Sequence, residues 1–309
     1  MGIVLLMNFL EILELARSDE DEEIFSQTWG EFDAIDDEYT AIDDVNGGEL
    51  DPKLVMAARL KEMEYVRTRG VYKLSTWRTA LQISGKAPIA VMWIDSNKGD
   101  DETPNMRSRL VAKEYRAKFM EAIFAGTPPL EALRAIIRIA SAHAKDDDPY
   151  GILVVDVSRA HFYAKALRRV FVQLPQEDPS SQDPEACGEL RMSMYGTQDA
   201  AANWTSSYTT TMTEGGFIQG KASPCLFVKK DGSTPTLVHG DDFCATGTRS
   251  QLEALKAMLS KTYEIKSELI GPWKGANKSV RMLGRVITYT SDGIGYEADL
   301  DILSLAPNH

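Results

Sequence analysis

Two short apolar runs that meet at a pair of adjacent acids set the strongest constraint on how this chain folds: Leu237-Val238-His239-Gly240-Asp241-Asp242-Phe243-Cys244-Ala245. The β-prone residues predict two strands and Gly240 predicts a tight turn between them, so the carboxylates fall at the tip of a hairpin. Carboxylates so placed repel unless a cation lies between them. Mg²⁺ suits such a place, because it prefers hard oxygen ligands, takes one or two carboxylates and completes its shell with water and substrate phosphates. A third acid stands in Gly151-Ile152-Leu153-Val154-Val155-Asp156-Val157. A run this apolar predicts a strand covered on both faces. Asp156 would be a costly solitary charge in it unless it stood at the strand end, facing the same metal.

Charge at first argues against a nucleic-acid binder, since the 309 residues carry a formal net charge of -12. The acids are unevenly placed, however. The first 60 residues hold 16 acids and three bases, whereas the other 249 hold 30 acids and 31 bases. A neutral body of this kind can carry a basic groove, although no polybasic run announces one. With 43% hydrophobic residues there is ample material for one large domain or two modest ones. Cys187, Cys225 and Cys244 are odd in number and lack paired C-x-x-C spacing, which argues against a zinc site or a disulfide framework. The histidines at 143, 161, 239 and 309 also lack metal-ligand spacing. The opening Met1-to-Leu6 run has no basic flank, and no apolar run reaches membrane-spanning length. An intracellular setting, cytoplasmic or nuclear, with no membrane partner is expected.

Residues 3 to 16 predict a short amphipathic helix, and Ser18 to Glu49 is rich in acids, so residues 1 to 50 read as a flexible acidic arm, first of all a solvated tail and otherwise a linker or an arm for an unidentified partner. Asp51-Pro52 starts a helix carrying Leu54, Val55, Ala58, Met63 and Val66, with a stop near Gly70. Residues 87 to 95 predict a strand, 96 to 100 a turn, and Arg107 to Tyr115 the returning strand, which puts Arg107, Arg109 and Lys113 on one alternating face. Such a face suits phosphate oxygens, or is simply solvated. Thr127-Pro128-Pro129 caps a helix whose Leu130, Leu133, Ile136, Ile137 and Ala140 share a core face. Ser250 to Glu253 reads as a capping box opening a further helix to about Tyr263.

Several of these blocks occur together in one known family. The run Asp156-Val157-Ser158-Arg159-Ala160-His161-Phe162, the segment from Tyr195-Gly196 to Trp204, and Gly240-Asp241-Asp242-Phe243 resemble, in order and spacing, a copia-type LTR retrotransposon reverse transcriptase. Arg109-Leu110-Val111-Ala112-Lys113 and Thr127 to Ala132 are similar to the fingers segment of that family, and Arg281 to Ile287 with Gly295-Tyr296-Glu297 to its primer-grip hairpin. The resemblance spans residues 51 to 309 and implies an α+β palm and fingers, with an antiparallel sheet carrying the site, helices packed on one side, and most of the thumb missing after a helix beginning over Ala298 to Leu305. It also implies an RNA-directed DNA polymerase acting on an RNA or DNA template with a primer and deoxynucleoside triphosphates. Asp156 and Asp241 would hold two Mg²⁺ or Mn²⁺ ions, with Val157 among the metal contacts and Asp242 either a supporting ligand or a turn residue. Arg109, Lys113, His161, Tyr195 and Gly196 would contact substrate, with His161 screening the ribose 2′ hydroxyl or merely packing. One departure is Gln198-Asp199-Ala200-Ala201-Ala202, where the family usually has Lys-Gln-Ala-Pro-Arg. Two rival readings are a decayed retroelement fragment that folds and binds nucleic acid without catalysis, and a doubly wound phosphoryl-transfer domain. The latter should alternate strands with helices and place Gly-rich loops after strands.

Overall fold

The computed structural model describes residues 40–100, 102–114 and 130–299. The helix expected over 3 to 16, the Thr127-Pro128-Pro129 cap and the helix expected beyond Ala298 lie outside these residues, apart from Ala298 itself, which ends a strand. The described residues form five α-helices and antiparallel sheets, an α+β arrangement. The chain divides into two compact units, one built from residues up to 117 with 166–198 and the other from 118–165 with 199–309. No helix among the described residues is long and apolar enough to cross a membrane.

The first unit begins with a hairpin of β1 (Ala41–Ile42) and β2 (Glu49–Leu50), so the described end of the expected arm is folded rather than an open chain. Its acids are what fix it. Asp43 accepts N–H bonds from Val45, Asn46 and Asn97, and Asp44 takes the N–H of Asp95 at 2.8 Å. Burial works against the charge on Asp43, but those backbone N–H groups hold its carboxyl below the usual range. Helix α1 (Pro52–Thr68) starts as the sequence predicts, with Asp51 accepting from Lys53 N at 2.8 Å and Pro52 in the first turn. Strand β3 (Tyr72–Thr76) leads into α2 (Trp77–Ser84), a short helix with Thr76 as N-cap and Gly85 in the left-handed region as C-cap.

Strands β4 (Val91–Asn97) and β5 (Met106–Ala112) form the expected basic hairpin. Ser108, Leu110 and Ala112 turn inward, and Arg107 and Arg109 take the opposite face. Strands β7 (Phe171–Val172) and β8 (Ala186–Leu190) join β3 in a small sheet. An ion network ties the unit together. Arg59 on α1 reaches Asp95 of β4 at 2.6 Å and Glu177 at 3.1 Å, while Ser108 and the Trp93 indole donate to the same two carboxylates.

The second unit is organised on a six-stranded antiparallel sheet in the order β13-β6-β12-β11-β10-β9. Its strands are β6 (Tyr150–Val157), β9 (Phe217–Gln219), β10 (Leu226–Lys229), β11 (Thr236–His239), β12 (Asp242–Thr248) and β13 (Ile265–Ile270). One face packs on α4 (Ala200–Glu214) and α5 (Arg249–Ser260) through Trp204, Tyr208, Met212, Leu252, Leu255 and Leu259. The other face packs on α3 (Leu130–Ala142), through Leu133, Ile136, Ile137 and Ala140. The same cluster takes Val280, Met282 and Ile287 from a three-stranded sheet of β14 (Ser279–Met282), β15 (Arg285–Thr290) and β16 (Gly293–Ala298). Helices therefore lie on both faces, not on one as expected. The reason is in β6 itself, whose apolar side chains point to both sides and must be covered on both.

One local expectation shifts, and one helix segment needs its own account. The capping box of α5 is formed by Thr248 and Gln251, two residues before the predicted start, because the last residue of β12 doubles as the cap. The Thr209-Thr210-Thr211 run, poor in helix propensity, is held helical by packing, since Tyr208 and Met212 on either side of it are buried, while its hydroxyls bond back to carbonyls one turn earlier, as Thr210 does to Ser206 at 3.0 Å.

The ion network of the first unit yields a stability prediction. Arg59 is 15% exposed, and its partners Asp95 and Glu177 are 6% and 4% exposed at the side chain. Arg59→Ala leaves two buried carboxylates without their cation and is expected to lower unfolding stability by about 3 kcal/mol. Urea titration checks this, and an unchanged midpoint would show that water replaces the guanidinium without loss.

Candidate active site

Hairpin β11–β12 closes as a two-residue turn. His239 pairs with Asp242 and leaves Gly240 and Asp241 as the turn itself. Gly240 has φ 62°, the positive value that mirror-image hairpin turns require and that a side chain would resist. Only Asp241 is thus at the tip, and Asp242 is the first residue of β12. On its other edge β12 pairs with β6 so that Asp242 stands directly opposite Asp156. Paired residues of antiparallel strands share a face, so the two carboxylates point to the same side. The ladder continues into the turn, where Val157 donates its N–H to the carbonyl of Asp241 at 3.0 Å. The side chain of Val157 is fully buried in the core, which leaves only its backbone to take part in a site.

The electrostatics follow from this placement. Burial first, then the neighbouring Asp241, then Asp156, push the Asp242 carboxyl up to about 6. Cys244, two residues along the same face, is fully buried and its thiol is pushed up to about 12, so it is an inert core residue. Across the other edge of β6, Lys266 of β13 is the partner of Asp156, a cation on the carboxylate face that sequence reading missed. The alternation in Ile265-Lys266-Ser267-Glu268-Leu269-Ile270 was the available signal. Among the described residues no three His, Cys, Asp or Glu side chains stand together closely enough to hold a metal ion by themselves. The donor chemistry fits a hard divalent cation, whose remaining positions water and phosphate ordinarily fill.

Beyond β6 the chain turns sharply at Arg159, which adopts φ 52°, into a 3-10 turn over Ala160–Tyr163. Phe162 is buried as core, and His161 is half-buried.

The basic candidates lie on the first unit. Arg109 places its guanidinium carbon 5.5 Å from the centre of the Tyr195 ring. Ala112 donates its N–H to the Tyr195 carbonyl at 2.8 Å, and Gly196, with φ 81°, comes so close to β5 that a Cβ would collide with the Ala112 carbonyl. Arg109, Tyr195 and Gly196 are thus one cluster, with Lys113 exposed just past the strand end on the same alternating face. Next to it Glu114 takes a two-pronged contact from Arg168 at 2.9 and 2.7 Å and the N–H of Gln198 at 2.8 Å. This clamp fixes the start of the segment that departs from the copia pattern, and nothing local in the sequence signals it. The structure therefore groups Asp156, Asp241, Asp242 and His161 in one unit and Arg109, Lys113, Tyr195 and Gly196 in the other.

Comparison with known proteins decides the family. Residues 74–274 match the family described as reverse transcriptase (RNA-dependent DNA polymerase). The chain belongs to this family. As a reverse transcriptase it has the α+β architecture and the block order that its sequence implies, and the doubly wound alternative falls away. No curated protein matches it. Among solved structures it is similar to a foamy viral protease-reverse transcriptase in complex with double-stranded DNA, at 14% identity and a TM-score of 0.45, over 83% of this chain and 38% of that one. It is also similar to telomerase from Candida albicans in complex with a fragment of telomeric RNA, at 9% identity and a TM-score of 0.45, over 84% of this chain and 54% of that one. This reverse transcriptase chain thus spans about four-tenths to half the length of those two.

The raised Asp242 carboxyl predicts a pH dependence. In the folded chain it binds a proton below about 6, whereas in the unfolded chain it does so only near 3.8. Folding is therefore penalised in full above about pH 6, and the penalty fades as pH falls from there toward the unfolded value of 3.8. Melting curves at pH 4, 5 and 7 without divalent ions are expected to show Asp242→Asn more stable than the parent at pH 7, with the gap narrowed at pH 5 and smallest at pH 4. A constant gap would mean that the carboxyl is not raised.

Proposed function

We propose that this chain is the catalytic palm and fingers portion of a copia-type RNA-directed DNA polymerase, adding deoxynucleotides to a primer on an RNA or DNA template. The observation that carries this reading is the pairing of Asp156 with Asp242 and the adjacent Asp241 at one sheet end, in a chain of the reverse transcriptase family. Asp156 and Asp241, supported by Asp242 and the backbone of Val157, are the groups that would hold two Mg²⁺ or Mn²⁺ ions. When bound, such ions lower the pKa of the primer hydroxyl and neutralise charge on the triphosphate.

The chain's own residues do the rest. Arg109 and Lys113 present a guanidinium fork and an ammonium to phosphate oxygens. Tyr195 offers an aromatic face to substrate, and Gly196, whose missing side chain lets this segment close against the Ala112 carbonyl, keeps that face beside Arg109. His161 limits the space beside the sugar and so disfavours a 2′ hydroxyl. Holding template and primer is electrostatic and hence salt-sensitive, because phosphate contacts supply most non-specific affinity.

A second reading, a decayed retroelement fragment that binds nucleic acid without catalysis, is favoured by one observation. The segment after Tyr195-Gly196 carries Gln198 and Ala202 where the family pattern has basic residues, and Ala201 where it has proline. Primer extension on RNA and DNA templates, with and without Mg²⁺, separates the two. Asp156→Asn and Asp241→Asn each keep shape and remove charge, and are expected to lower extension by on the order of 100-fold or more, since metal stabilisation is worth several kcal/mol. Wild-type rates in either variant would refute the site; no Mg²⁺-dependent extension by the parent would favour the second reading.

His161 gives a separate test. His161→Ala is expected to raise the use of ribonucleotides relative to deoxyribonucleotides, because its ring acts through volume. An unchanged ratio in a variant that still extends primers would reassign the residue to packing.

A further inference from the structure

The turn that carries Asp241 is held from below by one side chain on another element. Trp204, on α4, is 2% exposed, and its indole Nε1–H donates to the carbonyl of Gly240 at 2.7 Å. That carbonyl belongs to the peptide joining Gly240 to Asp241, the central peptide of the turn. A turn opened by a glycine at positive φ can reverse its central peptide at moderate cost, because the change moves only Asp241 to positive φ, a region aspartate tolerates better than most residues. A donor fixed on one side removes that freedom. The peptide is planar, so holding its oxygen also sets the direction of the Asp241 N–H and of the bond leading into Asp241. The next carbonyl, that of Asp241, is held by Val157 N–H at 3.0 Å. Both peptides flanking the Asp241 Cα are therefore anchored, one by the sheet and the other by Trp204.

The indole is itself immobilised. It packs edge-on against Tyr208 and Tyr263, with ring centres 5.5 and 5.2 Å away, and Tyr208 in turn meets Phe243 of β12 at 5.9 Å. Indole nitrogen donates and does not accept, so its contact with the turn has a single sense.

We infer that Trp204 is a positioning residue for Asp241, locking the central peptide of the turn so that the carboxylate meets Asp156 in one orientation. The inference rests on the reading of Asp156 and Asp241 as metal-holding carboxylates. It differs from a packing role, since a buried tryptophan that merely needs a partner for its N–H would affect stability and nothing else.

The test uses the full chain with three substitutions, Trp204→Phe, Tyr263→Phe and Asp156→Asn, measuring Mn²⁺ affinity by calorimetry, thermal stability, and kcat and KM for a deoxynucleoside triphosphate. Tyr263→Phe removes a hydroxyl bonded to Thr211 at 2.7 Å in the same aromatic cluster, without touching the turn. It is expected to lower the melting temperature and leave Mn²⁺ affinity and kcat unchanged. Trp204→Phe is expected to weaken Mn²⁺ binding about fivefold, the equivalent of one hydrogen bond, and to lower kcat about tenfold with little change in KM. Loss of Mn²⁺ binding in Asp156→Asn together with parental affinity and kcat in Trp204→Phe would overturn the inference alone. Parental Mn²⁺ binding in Asp156→Asn would overturn the carboxylate reading and the inference with it. If Trp204→Phe fails to fold, the indole N–H of the parent chain is followed by nuclear magnetic resonance, assigned by substituting the other tryptophans. Slow exchange with water and broadening by Mn²⁺ support the role, and exchange at the rate of an exposed indole, or no broadening, overturns it.

Discussion

Seven residue pairs between Tyr150–Val157 and Asp242–Thr248 hold the centre of the second unit in one register. Everything chemical about the chain depends on that register. A slip of one residue would send Asp156 to the opposite face of the sheet and carry Val154 and Ile152 out of their core with it. The apolar residues of β6 thus do more than fill space, because their burial on two faces prevents the slip and so fixes where the carboxylate lies. The core is extensive on both sides, with aromatic rings and α5 leucines below and the aliphatic face of α3 above.

The same pairing stores electrostatic tension. Carboxylates directly opposite one another on neighbouring strands repel, and partial burial of Asp242 prevents water from relieving them fully. The surrounding fold tolerates this because the strands are anchored elsewhere along their length. Strain kept at one end of a well-packed sheet is a common property of sites that wait for a counter-charge. Lys266 stands opposite Asp156 on the far strand, and the hydrogen bonds to the Gly240 and Asp241 carbonyls hold the turn in place.

The first unit solves a different problem with different means. Beside an apolar core that includes Met63, Val66, Val71, Leu110, Val172 and Met194, it uses buried ions to fix geometry. Arg59 joins α1 to β4 and to the loop that holds Glu177, Asp43 and Asp44 pin the first hairpin onto β4, and Glu114 gathers Arg168 and Gln198. Such contacts add little net stability compared with apolar packing, yet each is demanding in direction. They hold the face carrying Arg109 and the Tyr195-Gly196 turn in a defined shape.

The sequence by itself determined the elements and the residue types of the site. Asp51-Pro52 announced α1, the alternation in Arg107 to Tyr115 announced the basic face, the apolar run before Asp156 announced a doubly covered strand, and Gly240 announced the turn. These are short-range signals, set by backbone sterics and periodicity within a few residues. Tertiary structure alone decided which carboxylates face each other, that Asp242 belongs to the strand and not the tip, and that helices cover both faces of the sheet. It alone joined Trp204 to Gly240, 36 positions apart, Glu114 to Arg168, 54 apart, and Arg59 to Glu177, 118 apart. Such pairs are set by strand register and packing over the whole unit, because a donor's partner depends on where distant segments come to rest and not on its own neighbours in the chain.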